Sequence, residues 1–207
     1  MKKKIIKSNN EISELCSFSL GGYQQKVLIE GKNRDNPIVI TLHGGPGTPI
    51  PFSVGCRGLF PVFTDEFIMV YWDQLGCGIN NHVIDNSFSV DTFVQMTEEL
   101  IEKIKVKFPN NKIMIFSTSW GSILSAKLLE KNPYAVDSVI ACGQIIKNVF
   151  ICDEVIDTLA QTNIPVKKLE RIKNVTVDNF QGKDLQLISS SLRKYTNAYQ
   201  NRIGEKA

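Results

Sequence analysis

The stretch that most constrains this chain runs from Lys112 to Ser122, Lys-Ile-Met-Ile-Phe-Ser-Thr-Ser-Trp-Gly-Ser. Ile113 to Phe116 are consecutive apolar residues and read as a strand buried on both faces, the pattern of a parallel sheet. Ser117-Thr118-Ser119-Trp120-Gly121 follows at once, and Ile123 to Lys131 then reads as a helix. A strand, a tight turn with a central serine, and a helix together lift a hydroxyl above the edge of a sheet. The same turn aims the backbone N–H of Trp120 at any oxyanion that forms beside Ser119. Serines before helices also serve as plain N-caps. The strand and helix on either side favour the nucleophile.

At 207 residues the chain is long enough for one domain with a real core, or one domain with an appendage. Its 43% hydrophobic and 22% charged residues are those of an ordinary soluble globular protein. A net charge of +3, spread thinly along the chain, gives no footing for nucleic acid. Five cysteines without a C-x-x-C pair argue against a disulfide framework or a structural zinc site and fit a reducing cytoplasm. The basic start, Lys2-Lys3-Lys4, leads into Asn9, Asn10 and Glu11 rather than an apolar run. With no apolar run approaching 18 residues, no membrane span is expected. The expectation is a cytoplasmic protein with no metal and no cofactor.

Residues 1–36 read as polar with one strand, Gln24 to Glu30, after the Gly21-Gly22 turn. Ile38 to Leu42 is a second central strand, ending in His43-Gly44-Gly45-Pro46-Gly47, a loop of bare backbone whose N–H groups are open to close approach. Phe67 to Tyr71 is the next strand and closes in Trp72-Asp73-Gln74-Leu75-Gly76-Cys77-Gly78. A helix follows from about Thr92 to Lys107, capped by Ser89 or Asp91, with Phe93, Met96, Leu100, Ile101 and Ile104 as its buried stripe. Asn132-Pro133 stops the helix after Ser119, and Val136 to Cys142 reads as one more strand.

Strands alternating with helices imply a parallel sheet with right-handed crossovers, and such sheets bind ligands at the carboxyl ends of their strands. His43-Gly44-Gly45, Asp73-Gln74 and Ser119 each follow the end of a strand, so three loops converge on one crevice. From about Gln144 the texture changes to short helical patches broken by polar stretches. Two domains are expected, residues 1–144 as the α/β core and 145–207 as a helical fragment, whose short patches argue against a separate core. Val175 to Val177 is the one short β-branched run in that segment.

Together, His43-Gly44-Gly45-Pro46-Gly47, Trp72-Asp73-Gln74-Leu75-Gly76-Cys77-Gly78 and Ser119-Trp120-Gly121-Ser122 resemble the prolyl iminopeptidases. These are α/β-hydrolases that release proline from the amino ends of peptides. Order and spacing match over roughly residues 20–145. The resemblance implies an α/β fold with a mostly parallel sheet of the α/β-hydrolase type, Ser119 as nucleophile, and Trp120 and Gly45 as oxyanion N–H donors. Asp73 and Gln74 are read as holding neighbouring loops in place, and His43 as a structural histidine. The implied partner is a small peptide, amide or ester substrate.

The chain also departs from the family. Serine replaces glycine at Ser117, so the turn is expected to be strained. Leu75 and Ile79 stand where many relatives are basic. The family supplies its triad in the order serine, acid, histidine. Here both histidines, His43 and His82, precede Ser119. The chain is therefore expected to be C-terminally incomplete, ending within a helical cap fragment, where Asp153, Glu154 and Asp157 fall and to which no role is assigned. His82, among Asn80, Asn81 and Asp85, reads as a solvated loop residue rather than a substitute base. A serine without a positioned base is a poor nucleophile, and losing the histidine of a comparable triad costs about 10⁶ in kcat. Three functions stay open: a weak or inactive serine aminopeptidase, a silent binding or interaction remnant, and half of a split hydrolase. Self-association or a complementing chain is the partner expected with them.

Overall fold

The computed structural model describes residues 11–57, 62–85, 87–145, 153–175 and 182–196. It divides into two compact units, Met1–Ile145 and Ile146–Ala207. The first is built on six strands: β1 (Ile12–Leu20), β2 (Tyr23–Gly31), β3 (Ile38–Leu42), β4 (Ile68–Tyr71), β5 (Ile113–Thr118) and β6 (Ser138–Cys142). They lie in the order β1-β2-β4-β3-β5-β6. β1 and β2 are an antiparallel hairpin, and β2 pairs antiparallel with β4. β4, β3, β5 and β6 run parallel, so their carboxyl ends share one edge. In the middle, Ile40 pairs with Val70 on one side and Ile115 on the other.

The central strands are mostly apolar, Thr41, Ser117 and Thr118 excepted, because one face of the sheet carries a thick layer and the other a thinner one. On β3, Ile38, Ile40 and Leu42 join one cluster, whereas Val39 joins another on the opposite face. Two helices, α2 (Val90–Lys107) and α3 (Trp120–Lys131), supply the first cluster. Phe52 and the short helix α1 (Phe63–Glu66) lie with the second, thinner layer. In α2 the predicted stripe is buried; Leu100 and Ile104 are fully so, each burial contributing about 1.5–3 kcal/mol. Ser89 caps α2: its Oγ accepts the Thr92 N–H at 3.2 Å, and Thr92 Oγ1 accepts the Ser89 N–H at 3.2 Å.

Several expectations need correction. β1 was not foreseen, because as an edge strand it buries only its end residues, Ile12 and Leu20, and carries serines, Glu14 and Cys16 between them. β5 is not buried on both faces: Ile113, Ile115 and Ser117 are buried, whereas Met114, Phe116 and Thr118 are half-exposed under the thinner layer. β6, expected only as one more strand, lies last in the sheet and is largely exposed, with Ile140 56% accessible. α3 begins at Trp120, directly after the serine, rather than at Ile123.

The second unit holds α4 (Asp153–Ala160), α5 (Val166–Lys173) and α6 (Gly182–Tyr195). Contrary to expectation it has a small core of its own, in which Leu159, Ile164, Ile172 and Ile188 are buried together. One apolar side of each short helix suffices for this. Asp153, Glu154 and Asp157 are exposed on α4. The β-branched run Val175 to Val177 falls mostly outside the described residues.

Candidate active site

Ser119 sits between β5 and α3 with φ 47° and ψ −116°, the one non-glycine residue at positive φ among those described. Backbone in this region costs an L-residue about 1–3 kcal/mol and persists only where the surroundings enforce it. Here they do. The Ser119 N–H donates to the Cys142 carbonyl at the end of β6 (3.0 Å), and Ser122 N–H and Oγ donate to the Ser119 carbonyl at 2.9 and 2.6 Å. The helix starts at once, so the hydroxyl is left on the outside of the bend. Ser119 is exposed, and its side chain makes no capping hydrogen bond.

The serines behind it are engaged differently. Ser117, expected to strain the turn in place of glycine, lies inside β5 at ordinary φ, fully buried, with its Oγ 3.0 Å from that of Ser125. The strain falls on Ser119 instead. Gly121 is where side-chain size is decisive: a Cβ there would overlap the Leu42 carbonyl and lie 2.9 Å from the His43 oxygen. Glycine lets α3 press against the end of β3, which brings the Ser119 turn against the loop after that strand.

That loop meets it directly. A Cβ on Gly44 would stand 3.2 Å from Ser119 Cβ and 3.4 Å from the Thr118 carbonyl. Gly45 has φ 124°, and a Cβ there would run into the backbone nitrogens of Gly47 and Thr48. The loop folds back on itself, with Thr48 N–H donating to the Gly44 carbonyl at 3.2 Å. Of the three residues predicted for the site, Ser119 and Trp120 are joined in one turn, and Gly45 lies in the glycine loop packed against it.

A network under the loops holds this geometry. His43 is buried, and its Nε2 accepts the Gln74 backbone N–H at 2.9 Å, which places the ring proton on Nδ1, donating to the Gly44 carbonyl at 2.9 Å. Burial holds its pKa below the usual histidine value, against the opposing pull of the Gly44 carbonyl and of Asp73. Both ring nitrogens are occupied, so His43 is a neutral brace. The Gln74 side chain donates to the His43 carbonyl at 3.2 Å and accepts the Trp120 indole N–H at 3.0 Å. Asp73 accepts the backbone N–H groups of Val54 (3.0 Å) and Ile79 (2.9 Å). Asn80 donates to the Asp73 carbonyl at 2.7 Å. Cys77 packs 3.5 Å from His43 Nε2, and burial, followed by the Asp73 charge, pushes its thiol up to about 11, so it stays protonated and unreactive.

A family model for the alpha/beta hydrolase fold matches residues 37–203. The chain belongs to the alpha/beta hydrolase fold family.

This alpha/beta hydrolase is 28% identical to a probable aminopeptidase of Bacillus subtilis over 145 residues, 69% of this chain and 45% of that protein. It is 34% identical to a proline iminopeptidase of Neisseria gonorrhoeae over 123 residues, 59% of this chain and 36% of that protein. The matched stretches thus span less than half of either relative. Among solved structures, a proline iminopeptidase-related protein from Thermus thermophilus shares the fold with a TM-score of 0.57 at 20% identity, over 84% of this chain and 59% of the other.

In this chain the second histidine, His82, is exposed, and its ring lies against that of Tyr23, tilted at 59° with centroids 4.8 Å apart. Neither histidine is hydrogen-bonded to Ser119 among the described residues. There, too, no cluster of histidine, cysteine and carboxylate side chains is arranged to hold a metal, and no helix is long and apolar enough to cross a membrane. The residue that sequence reasoning underrated is Gln74. Its place after Asp73 in a glycine-punctuated turn marks it as a loop brace, but no spacing rule ties it to the indole of Trp120.

Proposed function

We propose that this chain is a serine hydrolase of the proline-iminopeptidase kind, with Ser119 as nucleophile. Ser119 Oγ attacks the carbonyl carbon of an amino-terminal prolyl amide or peptide and loses its proton. The carbonyl oxygen takes the negative charge and is held by the N–H groups of Trp120 and Gly45. Collapse expels the amine with a proton and leaves a prolyl ester on Ser119, which water then hydrolyses. The observation that carries this is the exposed, uncapped Ser119 at positive φ, packed against the glycine loop. The likeness to proline iminopeptidases supplies the substrate class.

His43 is committed to the loops, and His82 lies exposed beside the Tyr23 ring. With no base positioned on Ser119 among the described residues, this chain by itself turns over slowly. The test is intact-mass labelling with a fluorophosphonate, run beside hydrolysis of a prolyl anilide. Slow labelling confined to Ser119 and absent in Ser119→Ala, with weak turnover, is the expected result. Labelling elsewhere, or none, removes Ser119 as nucleophile. Rapid turnover lost in His82→Ala makes His82 the base.

A further inference from the structure

A cavity of about 390 Å³ opens between the loop after β4, the start of α2 and the Ser119 turn. Leu75, Ile84, Phe88, Phe93 and Trp120 form its apolar wall, and Pro46 and Gly47 of the glycine loop close one side. It therefore adjoins both elements that would hold the oxyanion, and Trp120, whose backbone N–H is the proposed donor, contributes its indole here. The wall is pre-formed. The indole is fixed by its bond to Gln74 and by an edge-on contact with Phe93, ring centroids 6.1 Å apart and planes at 83°. Phe93 is itself buried in the main core.

The cavity offers nothing to a charge. No charged side chain lines it among the described residues. Its polar side chains are engaged elsewhere: Gln74 with His43 and Trp120, Ser89 with the Thr92 N–H at the cap of α2. An ammonium or carboxylate entering would give up hydration for no partner, whereas an apolar group gains by leaving water. An apolar cavity of about 150 Å³ holds a benzene ring, so the volume here accommodates a benzyl or branched aliphatic group. A larger cavity, about 540 Å³, lies between the end of α2 and the start of β5 and includes Lys105 and Asp137; it is at the opposite end of the strands from Ser119.

We propose that this cavity is a specificity subsite for an uncharged apolar group beside the scissile bond. In a peptide beginning with proline this is the side chain of the second residue, because the charged imino terminus has no counter-charge here. The assignment rests on Ser119 as nucleophile only for its orientation relative to the scissile bond.

The test follows the two indole N–H cross-peaks, Trp72 and Trp120, in ¹⁵N-labelled full-length chain, with Trp120→Phe for assignment. Neutral phenylacetamide and cationic prolinamide are titrated separately. Phenylacetamide is expected to shift the Trp120 peak and leave Trp72 in place, and prolinamide to move neither at the same concentration. Ile84→Arg, at a 41% exposed position, is expected to weaken phenylacetamide at least tenfold, with the Trp72 peak unchanged as evidence of an intact fold. Equal binding of prolinamide, an unmoved Trp120 peak, or unaltered affinity in Ile84→Arg overturns the subsite. Ser119→Ala separates the two readings, since it should bind phenylacetamide as the parent does. Binding without any reaction at Ser119 leaves the subsite standing and removes the nucleophile; reaction at Ser119 without binding does the reverse.

Discussion

Nε1 of Trp120 donates to Oε1 of Gln74 at 3.0 Å, and the amide nitrogen of that glutamine donates to the His43 carbonyl at 3.2 Å. One buried side chain therefore ties the residue after Ser119 to the residue before Gly44. The two loops that would share an oxyanion are spaced by Gln74 rather than by contact alone.

Gln74→Met is accordingly expected to destabilise the fold. It leaves the Trp120 indole N–H and the His43 carbonyl without their partner, at about 1–3 kcal/mol for each group that stays buried. Urea unfolding should show a lowered midpoint. The Trp120 indole resonance should move, and that of Trp72, which donates to Gln25 at 2.9 Å, should not.

The strain at Ser119 can be measured by two substitutions that both remove the hydroxyl. Ser119→Ala keeps a Cβ at φ 47°, whereas Ser119→Gly relieves it. The glycine variant is expected to be the more stable of the two by about 1 kcal/mol, a rise of about 2–4 °C in Tm for a chain of this size. Both variants should lose fluorophosphonate labelling.

Gly121→Ala is expected to cost about 3 kcal/mol, because its Cβ would meet the Leu42 and His43 backbone rather than a side chain that can swing aside. Since α3 would have to withdraw from β3, the Ser119 turn should shift with it. Thermal unfolding measures the loss, and reduced labelling of Ser119 reports the displacement.

Stability should fall on the acid side through His43. Burial depresses its pKa in the folded state, so the unfolded chain binds this proton more readily than the native one. The contribution is complete above the unfolded value of about 6.5 and is lost progressively as pH falls below it. Protonation would also set a donor on Nε2 against the Gln74 N–H. Denaturant melts between pH 7 and 5 should show this loss, and His43→Gln should flatten the dependence over that interval.

The central strands and the serine turn were legible from sequence because their signals are local. Predominantly apolar runs mark β3, β4 and the first four residues of β5. Glycines appear where the backbone must bend or approach closely, and the motif order marks the crevice. What sequence left open depends on what lies across the sheet. β1 looked like polar chain because an edge strand buries few of its residues, and β5 looked buried on both faces although its outer face is thinly covered. The short helices of the second unit reveal a shared core only when three of them are placed together. The position of strain was likewise decided by the fold: substitution of glycine by Ser117 suggested it there, but pairing of β5 with β6 keeps Ser117 extended and passes the sharp bend to Ser119. Residue types alone singled out Ser119, Trp120 and the glycine loop as candidates, and the fold places them against one another. Sequence already marked Gln74 as a loop brace and His43 as structural, but only packing revealed their partners, the Trp120 indole and the Gln74 backbone N–H, because hydrogen bonds between residues dozens of positions apart leave no periodicity in the chain.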